Sequence, residues 1–497
     1  MDVDESLDEA ILLGLQDDTF VTEEQRQEAE AERRRKQRQQ RLLQLQAAEE
    51  ASSPPNKEEP SNHGSIPVRE PLNHFAEKED DMKQNGEDED DEFDMFSSSV
   101  SPVGHSDKSG DKNSSNTHSR GDHNHQEDWD DAEGYYKAVI GETISVLDDS
   151  IRLRVAGVVG KGVFSTVIQC STISNTSSTS LPPIVALKCI RHNETMAKAA
   201  MNELQTLQKL KGSPGIVPLL LPTTLTPLEH RGHVLLIFTY MEYNLRDVLQ
   251  KFGKGVGLSL PAVRSYFGQL LAAATHLQKH GIIHADIKPD NILVSSDFSV
   301  VQLADFGSAI HVNSPEQSQV TPYLVSRFYR APEIVLGLTP TFAIDLWSIA
   351  VSVAELFLGD VVFRGRSNNE MLYEFMQHLG PFSNRVIRQH LVQCQKFPDV
   401  VQQFQASEGA YYVFLQQTVD AVSGNAVHKR LSLQPTTEEQ KFPLATPLKQ
   451  RLLKAKSAND SKKIVFQFAD LLQKCLALDS SKRIPLKEAL RHEFFQK

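Results

Sequence analysis

Residues 284–291 read His-Ala-Asp-Ile-Lys-Pro-Asp-Asn, and the triplet Asp-Phe-Gly follows at 305–307. This pattern places a carboxylate, an ammonium group and an amide oxygen on one loop, with a second carboxylate close behind. Phosphoryl transfer needs such a set, because a carboxylate orients the nucleophile, an amide and a carboxylate hold magnesium, and a lysine neutralises charge on the transferring group. The residues that would fill these roles, in that order, are Asp286, Asn291 with Asp305, and Lys288.

The neighbouring segments are those expected to position this loop. Short apolar runs flank it at 281–283 and 292–294, so a rigid core should hold the polar loop in place. A glycine-rich turn containing Gly160 and Gly162 follows a strand-like run at 151–159. Because glycine lacks a Cβ, backbone amides in such a turn can approach phosphate groups closely.

Together these motifs resemble the protein kinase family from about residue 150 to the end of the chain. The resemblance implies an α+β fold of two lobes, with a small sheet-rich N-lobe at 149–242 and a large helical C-lobe at 243–497. It also implies ATP and Mg2+ as cofactors and a monomeric kinase domain. The alternative is a catalytically silent member of the fold that acts as a scaffold.

The resemblance also implies roles for residues outside the loop. Lys188 stands in an apolar strand at 184–190, and it would hold the α- and β-phosphates and pair with Glu203 on the next helix. An edge lysine reaching water is the alternative for Lys188. Phe238 would close the back of the adenine pocket. The residues expected to line the nucleotide site are Val159, Gly160, Gly162, Val167, Ala186, Lys188, Tyr240, Met241 and Leu293.

A closer resemblance comes from the run Ser-Arg-Phe-Tyr-Arg-Ala-Pro-Glu at 326–333, which is typical of the group of cyclin-dependent, mitogen-activated and dual-specificity tyrosine-regulated kinases. The stretches 128–136, 160–167 and 321–330 resemble the pre-mRNA-processing factor four kinases, which are nuclear serine/threonine kinases of the spliceosome. This implies splicing factors and spliceosomal proteins as substrates, and a nuclear location. The arginine-serine repeats of the animal versions' tail are absent. A dual-specificity kinase with cytoplasmic substrates is the alternative.

Composition sets further expectations. The chain has 497 residues and a net charge of −13, which argues against direct nucleic-acid binding. Four widely spaced cysteines, with no disulfide or zinc spacing, indicate a reducing compartment. The absence of a long apolar run predicts that no segment crosses a membrane. We expect a soluble intracellular protein.

Residues 1–128 predict a disordered charged tail, with an exposed helix near 22–50. The basic run at 33–38 is either a nuclear-import signal or one patch of a solvated helix. An acidic-aromatic run at 87–96 is either a docking peptide or a solvated charge block. Residues 129–148 form a lead-in segment, and the polar stretches 171–180 and 440–463 are expected to be inserts.

Regulation is predicted from a missing residue. Many kinases carry an arginine before the catalytic aspartate to pair with a phosphate on the activation segment, and this chain has Ala285 there. Any such phosphate must find other cations. We expect phosphorylation at Tyr323, with Arg327 and Arg330 holding the phosphate through paired hydrogen bonds. A tyrosine with no regulatory role is the alternative.

Overall fold

The computed structural model describes residues 130–131, 133–162, 164–175, 181–314, 325–407, 411–419, 426–433, 447–457 and 460–496. The predictions for the tail at 1–128, including its helix and its basic and acidic runs, fall outside these residues. So does Tyr323. Everything below concerns the described part of the chain.

A seven-stranded antiparallel sheet forms the first lobe, with β1-β2-β3-β4-β7-β5 in order and β6 paired to β7. In β2 the buried residues Ile151, Leu153 and Val155 alternate with exposed ones, which is the pattern of a sheet with one face on a core. The strands are β1 (Thr143–Val146), β2 (Ile151–Lys161), β3 (Ser165–Asn175), β4 (Ile184–Ile190), β5 (Leu219–Leu221), β6 (Leu228–His230) and β7 (His233–Thr239).

One helix, α1 (Glu194–Lys209), belongs to this lobe. It begins after Asn193, whose side chain accepts a hydrogen bond from Thr195 N at 2.8 Å, a standard N-cap that satisfies one of the helix's free donors. Leu204 and Leu207 are buried on the same helix, as is the charged Glu203. A buried carboxylate on an otherwise apolar face requires a partner, and this partner lies in the candidate site.

Helices make up most of the second lobe. Its central helix, α5 (Ala343–Leu358), is buried on all sides because most of its residues are apolar, and its few polar and charged residues are buried as well. It ends at Gly359, which has φ +77°. The helices are α2 (Leu245–Phe252), α3 (Leu260–Lys279), α4 (Pro332–Val335), α5 (Ala343–Leu358), α6 (Asn368–Leu379), α7 (Asn384–Lys396), α8 (Leu448–Lys454), α9 (Lys462–Cys475) and α10 (Leu486–Ala489).

Short strands carry the polar loops of this lobe. In one small sheet β10 (Ile292–Val294) lies between β8 (Tyr243–Asn244) and β11 (Val301–Leu303), and in another β9 (Ile282–Ile283) pairs with β12 (Ile310–His311). The loop at 284–291 therefore connects one sheet to the other, and so does the loop at 304–309. The remaining strands, β13 (Phe404–Ser407), β14 (Tyr411–Val419) and β15 (Ala426–Ser432), form a separate antiparallel sheet.

The predicted α+β fold, with a sheet-rich part and a helical part, is confirmed. Two expected inserts are wrong in part. Strand β3 continues to Asn175, because its register with β2 extends through the polar residues. Within 440–463, α8 buries Leu448 and Leu452 in the helical core, so this segment is not a surface insert throughout. Among the helices that the structure describes, none has the length and apolarity to cross a membrane.

Candidate active site

The strand register of the first lobe brings four predicted nucleotide-site residues onto one face of the sheet. Val167 on β3 lies opposite Lys188 on β4, and Ala186 on β4 lies opposite Phe238 on β7. Residues directly opposite each other share a face, and so do Ala186 and Lys188, which are two apart on one strand. This face therefore combines apolar side chains with the ammonium group of Lys188.

Lys188 pairs with two carboxylates. Its Nζ donates to both oxygens of Glu203 at 2.8 Å and to Asp305 Oδ1 at 2.8 Å. Lys188 is 7% exposed and Glu203 is 2% exposed, so the pair is shielded from water. The contact with Glu203 has the predicted geometry. The direct contact with Asp305 was not predicted, since the two residues are 117 positions apart in the sequence.

The pKa values of this triad follow from burial and charge. Burial alone would lower the pKa of Lys188, but the charges of Asp305 and Glu203 outweigh it and raise that pKa. Burial raises the pKa of Glu203 against the opposing effect of Lys188. Burial would likewise raise the pKa of Asp305, yet the bond and charge of Lys188 lower it to about 2. Lys188 and Asp305 are therefore charged at neutral pH.

Helix α5 braces the catalytic loop, residues 284–291, through Asp345. Asp345 is 3% exposed, and its two oxygens accept the backbone N–H groups of His284 at 2.8 Å and Ala285 at 3.0 Å. Ala285 has φ +63°, a backbone conformation that residues other than glycine rarely adopt. Burial raises the pKa of Asp345, and the charge of His284 and the two backbone bonds oppose that rise. Through these two bonds Asp345 holds the backbone of the loop in this conformation.

Asp286 lies at the centre of a hydrogen-bond network. Asn291 Nδ2 donates to Asp286 O at 2.9 Å and to its Oδ2 at 3.0 Å, and Lys288 Nζ lies 3.1 Å from the same Oδ2. Ser326 donates to Asp286 Oδ1 from Oγ at 2.8 Å and from its backbone N at 3.1 Å. Lys288 Nζ in turn donates to Ser326 Oγ at 2.9 Å. These contacts bring together Asp286, Lys288 and Asn291, the residues predicted to act from the catalytic loop.

Ser326 was not among the predicted site residues. Its hydroxyl lies between the carboxylate of Asp286 and the ammonium of Lys288, so it fixes the positions of both. In the sequence, the one signal for Ser326 is its place at the start of the run 326–333, which is typical of one group of kinases. That run offered no indication that its serine would reach the catalytic loop, 40 residues away.

Asn291 and Asp305 have the chemistry of magnesium ligands. Ala304 N donates to Asn291 O at 2.9 Å, which ties the two loops together. The amide nitrogen of Asn291 is used by Asp286, so its amide oxygen is left for a metal. The Asp305 side chain is 39% exposed and keeps one oxygen outside its bond with Lys188. Amide and carboxylate oxygens suit Mg2+, which takes its other ligands from water and phosphates.

The glycine-rich turn joins β2 to β3. Gly160 lies opposite Val167, and a Cβ added at Gly160 would meet nothing within 4 Å, so the turn is open on that side. Gly162 N donates to Ser165 O at 2.9 Å, which closes the turn where the family has a third glycine. Val159 lies at a bulge of β2 and is 49% exposed.

The remaining nucleotide-site predictions fall on the connection between the lobes. Tyr240 and Met241 follow β7 directly and are half-buried, and Leu293 on β10 is also half-buried. Burial raises the pKa of Tyr240, with a smaller contribution from Glu242. These residues stand where an adenine would meet the chain between the lobes. Their contact with a nucleotide stays a prediction.

The lead-in segment contacts the glycine-rich turn, which the sequence did not indicate. Lys161 Nζ lies 2.7 Å from Asp131 Oδ2 and 4.0 Å from the centre of the Tyr135 ring. Tyr135 and Tyr136 are 7% and 4% exposed, so the segment is anchored on the sheet. His233 Nε2 lies 2.6 Å from Asp130 Oδ1 and adds a second anchor.

The predicted regulatory arginines differ in their surroundings. Arg330 is 6% exposed, and it donates to Val325 O from Nε at 3.1 Å and Nη2 at 2.8 Å and to Asn368 Oδ1 from Nη1 at 2.6 Å. The contact of Arg330 with a phosphate stays a prediction. Arg327 is exposed. It keeps the predicted role as a proposal.

The family model described as the protein kinase domain matches residues 153–495. The chain belongs to the protein kinase family. It is 35% identical over 417 residues to serine/threonine-protein kinase prp4 of Schizosaccharomyces pombe, covering 84% of this chain and 80% of that protein. It is 34% identical over 389 residues to serine/threonine-protein kinase prpf4B of Dictyostelium discoideum, covering 75% of this chain and 42% of that protein.

These relatives place the kinase among the prp4-type serine/threonine kinases, as the sequence motifs predicted. The chain spans less than half of the Dictyostelium relative, so regions of that protein lie beyond the similarity. A further relative, serine/threonine-protein kinase ppk5 of Schizosaccharomyces pombe, is 32% identical over 367 residues, and the chain spans 38% of it. Members of this family use ATP and Mg2+.

Proposed function

We propose that this kinase transfers the γ-phosphoryl group of ATP to serine and threonine hydroxyls, with Asp286 orienting the hydroxyl. The observation that carries the proposal is the convergence of Asp286 and Lys288 with Ser326, through contacts of 2.8–3.1 Å, on a loop that a backbone hydrogen bond ties to Ala304, the residue before Asp305. A carboxylate held beside an ammonium group is suited to accept a substrate hydroxyl and to stabilise the charge that develops on the phosphoryl group.

The other side chains position the nucleotide. Lys188, held by Glu203, would neutralise the α- and β-phosphates, and the open turn at Gly160 would cover them. Asn291 and Asp305 would hold Mg2+, which supplies further charge neutralisation on the phosphate oxygens. Phosphoryl transfer leaves little covalent chemistry for the protein's own side chains to do. Positioning and electrostatic stabilisation therefore account for most of the catalysis.

The test is the variant Asp286→Asn. It should retain nucleotide binding, measured with a fluorescent ATP analogue, but its turnover should fall by about 10²–10⁴-fold, the usual contribution of general-base assistance. Asp297→Asn is a matched control, since Asp297 is exposed and bonds only to Ser295 and Ser299. Near-normal turnover in Asp286→Asn would remove Asp286 from the mechanism. The same assay decides between an enzyme and a silent scaffold.

The substrates are proposed from the family pattern. The motifs at 128–136, 160–167 and 321–330 support splicing factors and spliceosomal proteins as substrates of a nuclear kinase. Phe238, at the back of the pocket face, offers a direct test, because Phe238→Gly should admit an ATP analogue enlarged on the adenine ring. Proteins thiophosphorylated by this variant in cell extract should be mainly spliceosomal. A mainly cytoplasmic set would favour the alternative of a dual-specificity kinase with cytoplasmic substrates.

The backbone next to the catalytic loop supports a preference within these substrates. Val325 has φ +71°, and Arg330 holds its carbonyl oxygen with two hydrogen bonds. Ser326 contacts Asp286, the residue that would orient the acceptor hydroxyl. The substrate residue that follows the acceptor would therefore lie next to Val325, which directly precedes Ser326. The backbone N–H of that substrate residue would find the carbonyl oxygen of Val325 already bonded to Arg330, whereas a proline has no N–H that needs an acceptor. We expect Ser-Pro peptides to be phosphorylated about tenfold faster than matched Ser-Ala peptides, and equal rates would refute this preference.

A further inference from the structure

A half-buried guanidinium lies beside the catalytic loop and is held by two carboxylates and a phenol. Arg246, near the start of α2, contacts Glu355 through Nη1 and the Tyr329 hydroxyl through Nη2. It also donates to Asp290, from Nε to Oδ1 at 3.4 Å and from Nη2 to Oδ2 at 3.3 Å. Tyr329 in turn donates to Glu355 Oε2 at 2.6 Å. None of these four residues has a role in the mechanism above.

The composition of this cluster is that of a binding site for a guanidinium. Two carboxylates give a planar guanidinium several oxygen acceptors, and the charge-assisted hydrogen bonds that result are among the strongest in proteins. Burial would lower the pKa of Arg246, but Tyr329, Glu355 and Asp290 raise it, so Arg246 stays charged. Without this side chain, the carboxylate of Glu355, 1% exposed, would be left buried without a cation.

The cluster lies within reach of a bound substrate. Asp290 belongs to a short 3-10 helix, Pro289–Asn291, whose last residue donates to the carboxylate of Asp286. Tyr329 belongs to another, Arg327–Tyr329, that directly follows Ser326. An extended peptide spans about 3.3 Å per residue, so residues within a few positions of the acceptor hydroxyl can meet this surface. The side chains of Arg246 and Asp290 are 20% and 13% exposed, and the cluster therefore opens to solvent.

We propose that Arg246 occupies, from within the chain, a subsite that would otherwise bind an arginine side chain of the substrate. This inference rests on the proposed function, since it concerns the peptide that is phosphorylated. As a consequence, an arginine near the acceptor serine of a substrate should not raise kcat/KM. Arg246 is thus a specificity-determining residue, and Asp290 and Glu355 form a guanidinium site that is latent in the wild-type protein.

The test is an arginine scan of peptide substrates. A neutral Ser-Pro peptide and variants with one arginine at each position from four before to four after the acceptor are assayed with the full chain. For wild type we expect kcat/KM values within about twofold of the neutral peptide. For Arg246→Met we expect at least one position at which arginine raises kcat/KM about tenfold or more relative to the neutral peptide, the effect of one charge-assisted hydrogen bond.

Matched variants separate this effect from general damage. Arg246→Lys keeps a cation in the site and should show no preference for arginine. Arg246→Met combined with Asp290→Asn removes one carboxylate and should lose most of the new preference. Arg388→Met makes the same change at an exposed arginine of α7 and should behave as wild type.

Two results would overturn the inference. The first is a folded Arg246→Met protein that shows no arginine preference at any position. The second is a wild-type kinase that already prefers arginine by tenfold, which needs no variant and therefore decides the matter even if Arg246→Met does not fold. The neutral peptide reports the proposed function separately, because its phosphorylation by wild type does not depend on arginine. Failure there would count against kinase activity, and failure in the scan alone would count against the subsite.

Discussion

The ion pair between Glu333 and Arg483 offers the sharpest test of how the helical lobe is held together. Arg483 Nη1 and Nη2 donate to the two oxygens of Glu333 at 2.5 and 2.6 Å. Further bonds run to Ala343 O at 2.8 Å and to Ala477 O at 2.9 Å. The side chains are 1% and 3% exposed, so water cannot replace these bonds. The pair joins segments 150 positions apart.

We predict that Arg483→Met lowers the free energy of unfolding by about 3–5 kcal/mol, because the carboxylate of Glu333 is left buried without a cation. Methionine keeps an apolar contact with Trp347, whose ring centre lies 5.0 Å from the guanidinium, so packing loss is small. At about 2 °C per kcal/mol, the value for larger domains, the midpoint of thermal unfolding should fall by roughly 6–10 °C. Differential scanning fluorimetry and urea unfolding measure both quantities.

The chain supplies a matched control. Lys474 Nζ also lies 2.6 Å from a carboxylate oxygen, Oδ2 of Asp470, but the two side chains are 48% and 49% exposed. Lys474→Met should therefore change the free energy of unfolding by about 0–1 kcal/mol. The double variant Glu333→Leu with Arg483→Met should be more stable than Arg483→Met, since no buried charge is left alone. A loss of less than 1 kcal/mol in Arg483→Met would refute the reasoning from burial.

Three further predictions concern the site. Lys188→Met should keep a native circular dichroism spectrum but lose at least about 10²-fold in kcat, and unfolding of the variant would make Lys188 structural. Asp345→Asn should cost about 1–3 kcal/mol, because an amide cannot accept both buried N–H bonds, and a change below 0.5 kcal/mol in urea unfolding would contradict the bracing role. Tyr323→Phe should lose its phosphotyrosine signal and most activity, and Arg327→Ala should lose activity but keep the signal. Full activity of Tyr323→Phe would reject this regulation.

Motif order was enough to identify the residues on the catalytic loop. Asp286, Lys288 and Asn291 stand within six positions of one another, so their relative placement depends on local chain geometry alone. The fold class followed from the resemblance of these motifs to the protein kinase family, and the alternation of buried and exposed residues in β2 agrees with the expected sheet-rich lobe. The pairing of Lys188 with Glu203 was accessible because a lysine in an apolar strand requires a partner.

The tertiary structure decided which distant groups share a partner. Lys188 reaches Asp305 across 117 positions, Arg246 reaches Glu355 across 109, and Ser326 reaches Asp286 across 40. Each of these contacts depends on how strands and helices pack, and neither hydrophobic period nor turn chemistry carries that information.

Burial likewise distinguishes residues of one type. Arg327 and Arg330 are three positions apart and equivalent as candidate phosphate ligands in the sequence. In the structure Arg330 is buried and bonded to Val325 O, whereas Arg327 faces solvent. The difference arises because the backbone turns at Val325, which has φ +71°, and one guanidinium satisfies the carbonyl that this turn exposes. The sequence alone determined the chemistry available to this kinase, and packing determined which of its charges face a substrate.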